Sequence, residues 1–429
     1  MNYNIIMFLV YLAGGFVRGT ALNNLSGVII QMYSNLSNHF DTKGQIMAFL
    51  STCIMCGSML GTFTATPIIL KLGRKVTIGL MGLLCLLSSI AAMIPLHWIY
   101  LAIMKILAGL SSSVIMTTVP MLFSEFVAPK LRGTFSSLMN LFICFGTLLT
   151  AVIQLYIAPY DKLFYVAFIP GACSSLLLLV LTFWVKEVST SNNLVVPAEN
   201  TKLESIFNIK YRKCLLIALT LGPAQAGSGM YAVVQYATLT FANSFNSPYS
   251  GTIGFIIVAF SNTLAATIAI PFIKRVSRRK LWFSSLIGCM ICQLAQIILS
   301  FININENTLA YLKLTFTIAF LIFFQFGIGP LYLAILAELF PLEVKTKLMN
   351  FGMVMFWTVL ITTTLLFPLI PKWTSYLIFL GIQTICMIVL FINLPETTGK
   401  TLQEIRKIMV IEEPKVEIKP AAHAEAPLE

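Results

Sequence analysis

"FSEFVAPKLRG" (Phe123–Gly133) and "LAELFPLEVKT" (Leu336–Thr346) decide how this chain folds. Each ends a long apolar run, and each sets a glutamate, an aromatic residue, a proline and a base in the same order. Glu125 and Glu338 stand 213 residues apart (338 − 125). Other landmarks return at nearly the same distance. "LGRK" (Leu72–Lys75) returns as "SRRK" (Ser277–Lys280), with Arg74 and Arg278 offset by 204 (278 − 74). Glu187 returns as Glu396, offset by 209 (396 − 187). The chain reads as one unit written twice.

The runs between these landmarks are the material of a membrane protein. Of 429 residues, 58% are hydrophobic and 10% charged, and the mean hydropathy is +0.88. A soluble chain carries roughly 25% charge. Twelve segments read as helical spans, at roughly 4–32, 45–70, 76–94, 99–122, 133–157, 163–185, 213–241, 250–273, 281–302, 309–337, 348–370 and 374–394. Crossing a bilayer takes about 20 apolar residues, so the longer spans tilt or end loosely. With the internal repeat, the expected fold is an all-α membrane protein: twelve transmembrane helices in two pseudo-symmetric six-helix bundles. The expected boundaries are 1–185 for the first bundle, 186–212 for a cytoplasmic linker, 213–394 for the second bundle and 395–429 for a cytoplasmic tail. Parallel halves of this kind are a transporter architecture, with the ligand held between them near the midplane.

The formal charge of +12 invites a nucleic-acid reading, but its placement argues against one. If the N-terminus is cytoplasmic, 22 of the 28 bases fall on inner connections or the tail. The positive-inside rule then puts both termini in the cytoplasm, and the net charge is a topology signal. The start of the chain lacks a basic region before its apolar run, so it reads as the first span and not as a cleaved signal. Asn35-Leu36-Ser37 is a glycosylation sequon in the first outer loop. The nine cysteines lie mostly in or at the ends of spans, and Cys53-x-x-Cys56 and Cys289-x-x-Cys292 each sit on one helix without a nearby histidine, a packing pattern and not a metal site. No cofactor is expected. No Ser/His/Asp or Cys/His arrangement falls within the spans, so an enzyme is not expected either. In the linker, "TKLESIFNIKYRK" (Thr201–Lys213) has the pattern of a short amphipathic helix on the inner surface.

The opening clusters gain a role from the repeat. Glu125 ends the fourth span and Arg132 begins the fifth, while Glu338 ends the tenth and Lys345 precedes the eleventh. With Arg74 and Arg278 they place acids and bases at matched inner ends of both halves. Ion pairs across that seam are expected to close an inner gate. One exposed pair contributes roughly 0–1 kcal/mol, but several together bias an equilibrium between states a few kcal/mol apart.

Five stretches in order carry a family resemblance: "TPIILKLGRK" (Thr66–Lys75), "SEFVAPKLRG" (Ser124–Gly133), "AQAGSGMYAVVQY" (Ala224–Tyr236), "GPLYLAILAELFPLEV" (Gly329–Val344) and "PETTGKTLQEI" (Pro395–Ile405). Over nearly its whole length the chain resembles the sugar-porter branch of the major facilitator superfamily, and within it the animal facilitative glucose and insect trehalose transporters. The resemblance implies alternating access and an inner gate at Glu125, Arg132, Glu338, Lys345, Arg74 and Arg278. Lys345 stands where the family has arginine, which weakens bidentate pairing with a carboxylate. The acids that usually precede the two Gly-Arg turns are replaced by Leu70 and Lys274.

The implied sugar site is half kept. A sugar requires side chains that both donate and accept, together with a flat apolar surface. The resemblance points to Gln225, Asn262, Trp357, Asn140 and Gln325. Gln225 keeps one of a glutamine pair, while its partner is Ala226; Asn262 and Trp357 are kept; Asn140 and Gln325 stand for a family Gln and Glu. A family Asn is Tyr231, and a second aromatic is Leu333.

Two bases and no acids lie in the cores of the spans: Arg18 and Lys105. Proton-driven relatives carry an aspartate in the first span where Ala21 stands here, and a proton relay needs a group that changes charge. The expected activity is therefore facilitated diffusion of a small sugar, a hexose or trehalose, by a plasma-membrane uniporter and glycoprotein contacting lipid and requiring no protein partner or nucleic acid. Lys105 matches a family arginine in the fourth span. Arg18, expected to bond Asn side chains or carbonyl groups, opens another reading, a porter of an anionic or other small organic solute. The loss of site residues keeps a third open, a transport-inactive nutrient sensor.

Overall fold

The computed structural model describes residues 3–26, 43–94, 97–126, 132–185, 207–242, 244–245, 247–341, 344–396, 404 and 408–409. The side chains of Glu125, Arg132, Lys274, Leu333, Glu338 and Lys345 are outside that description, as is Asn35.

Eleven helices among the described residues are long and apolar enough to cross a bilayer. The first six spans are Tyr3–Asn23, Lys43–Leu72, Arg74–Ala91, Trp98–Phe126, Arg132–Ile157, and Ile169–Trp184 with a preceding 3-10 segment Asp161–Phe168. The eighth to twelfth are Ser250–Arg275, Arg278–Leu299, Glu306–Phe326 continued by Ile328–Leu339, Lys345–Leu366, and Lys372–Asn393. Phe183, Ile385, Phe391 and Ile392 are exposed on the outside, while Ser111, Ser112, Thr150 and Gln383 are buried within. That is the distribution of a helix bundle in lipid, where polar side chains join helices to one another.

The packing repeats with an offset of six spans. The second span packs on the fourth as the eighth does on the tenth, and the first on the fifth as the seventh does on the eleventh. The third meets the sixth as the ninth meets the twelfth. One polar bond repeats with the helices. Lys75 Nζ donates to the carbonyl of Phe183 (3.2 Å), and Arg279 Nη2 donates to that of Phe391 (2.7 Å). The two bundles meet where the fifth span packs on the eighth and the second on the eleventh.

The seventh span departs from the continuous helix expected over 213–241. It consists of Arg212–Ala226, Met230–Gln235 and Ala237–Thr240. Gly229 takes φ 73°, a left-handed conformation open chiefly to glycine. The tenth span also breaks, at Gly327. Freed backbone groups are expensive in a membrane unless another group satisfies them. The ninth span supplies side chains to both breaks: Gln293 Nε2 donates to the Ser228 carbonyl (2.9 Å), and Ser285 Oγ accepts from the Ile328 amide (3.0 Å) while donating to the Phe323 carbonyl (2.7 Å). The amphipathic linker helix expected over 201–213 lies partly outside the described residues. Its described part is one 3-10 turn, Ile209–Tyr211, before the seventh span starts at Arg212.

Candidate functional site

Both broken spans put a glutamine beside the break, and Gln325 reaches across the seam between bundles. Gln325 lies two residues before Gly327. Its Oε1 accepts from Asn140 Nδ2 on the fifth span (2.8 Å), and its Nε2 donates to Asn262 Oδ1 on the eighth (2.7 Å). Cys144, one turn beyond Asn140, accepts from Asn262 Nδ2 (3.3 Å) and Gln325 Nε2 (3.5 Å). Three amides and a thiol thus form one chain between the halves. Gln225, at the end of the first piece of the seventh span, donates to the Gly329 carbonyl (3.3 Å), and its buried Oε1 has no hydrogen-bond partner among the described residues. A buried acceptor without a donor is costly unless a ligand supplies one.

A second group sits on the same seam. Trp357 of the eleventh span is buried, and its Nε1 donates to Thr62 Oγ1 on the second (3.1 Å). Thr62 in turn lies 3.0 Å from Ser113 Oγ on the fourth span. Arg18 sits over the Trp357 ring, its guanidinium carbon 5.7 Å from the centroid. Its Nη1 donates to Ser58 Oγ (2.7 Å) and Ser112 Oγ (3.1 Å). Serine hydroxyls, and not the expected Asn or carbonyl groups, therefore hold this base. A cation at the centre of a span costs on the order of 2.5–3.5 kcal/mol on insertion scales. Aromatic faces and oriented hydroxyls recover part of that cost.

Tyr231 links the groups, lying within electrostatic range of both Arg18 and Cys144. Its ring is edge-on to Phe356 at 6.3 Å, and Phe356 stacks on Tyr332 at 5.4 Å. Amides that donate and accept, next to aromatic faces, are suited to a polyhydroxylated ligand with apolar ring faces.

Farther toward the end of the bundle opposite the N-terminus, the halves touch again. Ser26 Oγ donates to the Gln235 carbonyl (3.0 Å), and Gln235 Nε2 to that of Leu22 (3.5 Å). Lys105, buried, donates to Asn24 Oδ1 in the turn that carries Ser26, and lies 5.8 Å from the Phe168 ring centroid.

The six ligand positions expected from the sequence thus fall in two adjacent groups: Asn140, Gln325, Asn262 and Gln225 in one, Trp357 and Arg18 in the other. Ser58, Thr62, Ser112 and Cys144 were not anticipated. "SSS" at 111–113 is visible in the sequence, but nothing local shows that Ser112 faces Arg18 across 94 residues of chain. Of the gate residues, Arg74 is buried at the start of the third span, and Arg278 is close enough to Glu396 for their charges to interact. The Glu125, Arg132, Glu338 and Lys345 side chains fall outside the described residues.

Two helical bundles, related by repetition and meeting at a polar seam lined by broken helices, define a membrane transporter of the major facilitator fold. The profile of the family described as "Sugar (and other) transporter" matches residues 7–190 and 184–409, and the chain belongs to that family. It is not an enzyme. It is 22% identical to a glucose transporter, GlcP, of Staphylococcus epidermidis, over 93% of this chain and 96% of the relative. It is 25% identical to the facilitated trehalose transporter Tret1 of Drosophila willistoni, over 92% of this chain and 50% of that protein. A solved structure of the proton:xylose symporter XylE, bound to 6-bromo-6-deoxy-D-glucose, superposes with a TM-score of 0.75 at 19% identity, covering 95% of this chain and 99% of the other.

Proposed function

We propose that the chain carries a monosaccharide-sized carbohydrate, or a disaccharide such as trehalose, down its gradient by alternating access, without moving a proton. The amide chain Asn140–Gln325–Asn262 carries this reading, because it joins the fifth span of one bundle to the eighth and tenth spans of the other. A sugar hydroxyl that replaces either bond both donates and accepts, so the ligand substitutes for the contact between halves. Binding and rocking are thereby coupled. Each state must bind the ligand differently for transport to follow.

The uniport reading rests on charge. Among the described residues, no Asp or Glu is buried, and the buried bases are Arg18, Arg74 and Lys105. The name of the solved neighbour, a proton symporter, makes coupling the natural contrast. With purified full-length protein in liposomes, D-glucose should equilibrate across the membrane at the same final level with or without an imposed pH gradient. Accumulation above the equilibrium level, driven by a pH gradient, overturns the uniport reading. The inner gate, with Glu125, Arg132, Arg74 on one half and Glu338, Lys345, Arg278 on the other, belongs to the same proposal. So do residence in the plasma membrane, cytoplasmic termini and glycosylation at Asn35.

A further inference from the structure

The sugar reading leaves one feature of the seam unused, the charge of Arg18. This side chain is 7% exposed. Its Nη1 is taken by Ser58 and Ser112, but its Nη2 and Nε have no hydrogen-bond partner among the described residues. The serines are committed in a particular sense. Ser58 Oγ donates to the Ile54 carbonyl (2.9 Å) and lies 3.3 Å from that of Gly109, and Ser112 Oγ donates to the Gly109 carbonyl (3.2 Å). With their protons turned to backbone, both hydroxyls offer lone pairs to the guanidinium. They orient the cation without neutralising it.

The groups facing Arg18 come from five other spans. The second span contributes Ser58, the fourth Ser112, the eleventh Trp357, the seventh Tyr231, and the third Cys85. None is a carboxylate. Across Tyr231 lies the amide chain, also neutral. The composite site therefore has an amide-and-hydroxyl part suited to a polyol, an aromatic face at Trp357, and one fixed positive charge whose Nε–Nη2 edge is left over. That edge of a guanidinium takes a carboxylate through two parallel hydrogen bonds. One guanidinium matches one negative charge, which fits a carboxylate better than a dianionic phosphate.

We propose that the preferred ligand is a sugar acid, a hexuronate or aldonate, whose hydroxyls meet the amide chain and whose carboxylate meets Arg18. The assignment rests on reading the seam as the carbohydrate site. A carried monoanion also moves charge, so its flux responds to membrane potential where that of a neutral sugar does not.

The test uses full-length protein in liposomes, with labelled D-glucuronate and D-glucose as probes. Wild-type protein should take up D-glucuronate, faster when an imposed potassium gradient makes the lumen positive, and excess D-glucuronate should compete with D-glucose entry. In Arg18→Gln, the ratio of glucuronate to glucose uptake should fall at least tenfold, and Arg18→Lys, which keeps the charge but loses the fork, should fall between. Glucose entry in the wild type without competition by glucuronate overturns this proposal and leaves the sugar reading standing. Failure of the wild type to carry either probe overturns both. The potential dependence is read on wild type alone, so a variant that fails to fold does not decide the matter.

Discussion

The two bundles share a packing scheme but not a backbone. In the first, Trp98–Phe126 runs without interruption, and the described part of the first span holds the single helix Tyr3–Asn23. Their counterparts break at Gly227–Gly229 and at Gly327. The first bundle instead uses glycine for close approach. Gly57 faces the backbone of Ile106, and Gly109 faces that of Ile54, so the second and fourth spans touch main chain to main chain. The second bundle uses glycine both ways: Gly222 faces the backbone of Gly352, while Gly229 and Gly327 stand at helix breaks. One half is thus a tightly packed frame that presents hydroxyls and a cation. The other half sets Gln225 and Gln325 beside helix breaks. Repetition of a fold fixed where the helices go, and the glycines at 227, 229 and 327 added breaks to the second copy.

Replacing Gly57 with leucine attacks the frame. A side chain there meets the Ile106 backbone, which cannot move as a flexible side chain would. Overpacking costs typically 1–3 kcal/mol and more against rigid backbone, so the outcome is loss of monodisperse protein on size-exclusion chromatography in detergent. Survival of a folded Gly57→Leu protein would mean the first bundle is as pliable as the second.

Gln325→Leu attacks the hinged half. It leaves Asn140 Nδ2 and Asn262 Oδ1 without the partner they now share. A buried polar group left unpaired costs about 1–3 kcal/mol, so sugar uptake should fall by roughly 10- to 100-fold in protein that still folds. Normal uptake would move the ligand away from the amide chain.

Ser285→Ala tests whether the tenth-span break is held by the ninth span. It strips the Ile328 amide of its acceptor, at about 1 kcal/mol or somewhat more. The expected result is a lower melting temperature with faster hydrogen exchange confined to the residues around Gly327. An unchanged exchange pattern would assign the break's stability to backbone packing alone.

The smallest effect is expected at the Trp357–Thr62 contact. Trp357→Phe keeps a ring over Arg18 but removes the bond to Thr62. One neutral hydrogen bond contributes about 1 kcal/mol, which corresponds to roughly a fivefold change in uptake. A change of a hundredfold would make the indole nitrogen a direct ligand of the sugar.

Much of this was legible in the chain. The offsets linking Arg74 to Arg278 and Glu125 to Glu338 gave the six-span period that the helix contacts repeat. Asn262, Trp357 and Gln325 were picked out by resemblance, and they lie on the seam. The break in the seventh span was harder to see. "AQAGSGMYAVV" (Ala224–Val234) holds glycines, but glycine is common in membrane helices, where it serves packing as often as unwinding. Gly57 and Gly229 look alike in sequence, and what distinguishes them is the partner each meets, the Ile106 backbone for one and the Phe379 ring for the other. Nothing local singles out Cys144, and its role as acceptor for two amides depends on helices more than 100 residues away.

The sequence alone determined that the chain is a duplicated set of apolar helices, because hydropathy, length and charge placement act locally and need no partner. It also determined that bases without acids lie in the cores of the spans. Only the tertiary structure decided which polar groups face one another: Arg18 with serines and an indole, Gln325 with asparagines from both halves. The reason is physical. In hydrocarbon a polar side chain must find a partner, but the partner is chosen by how helices rotate and cross, and that is set by packing summed over the whole bundle.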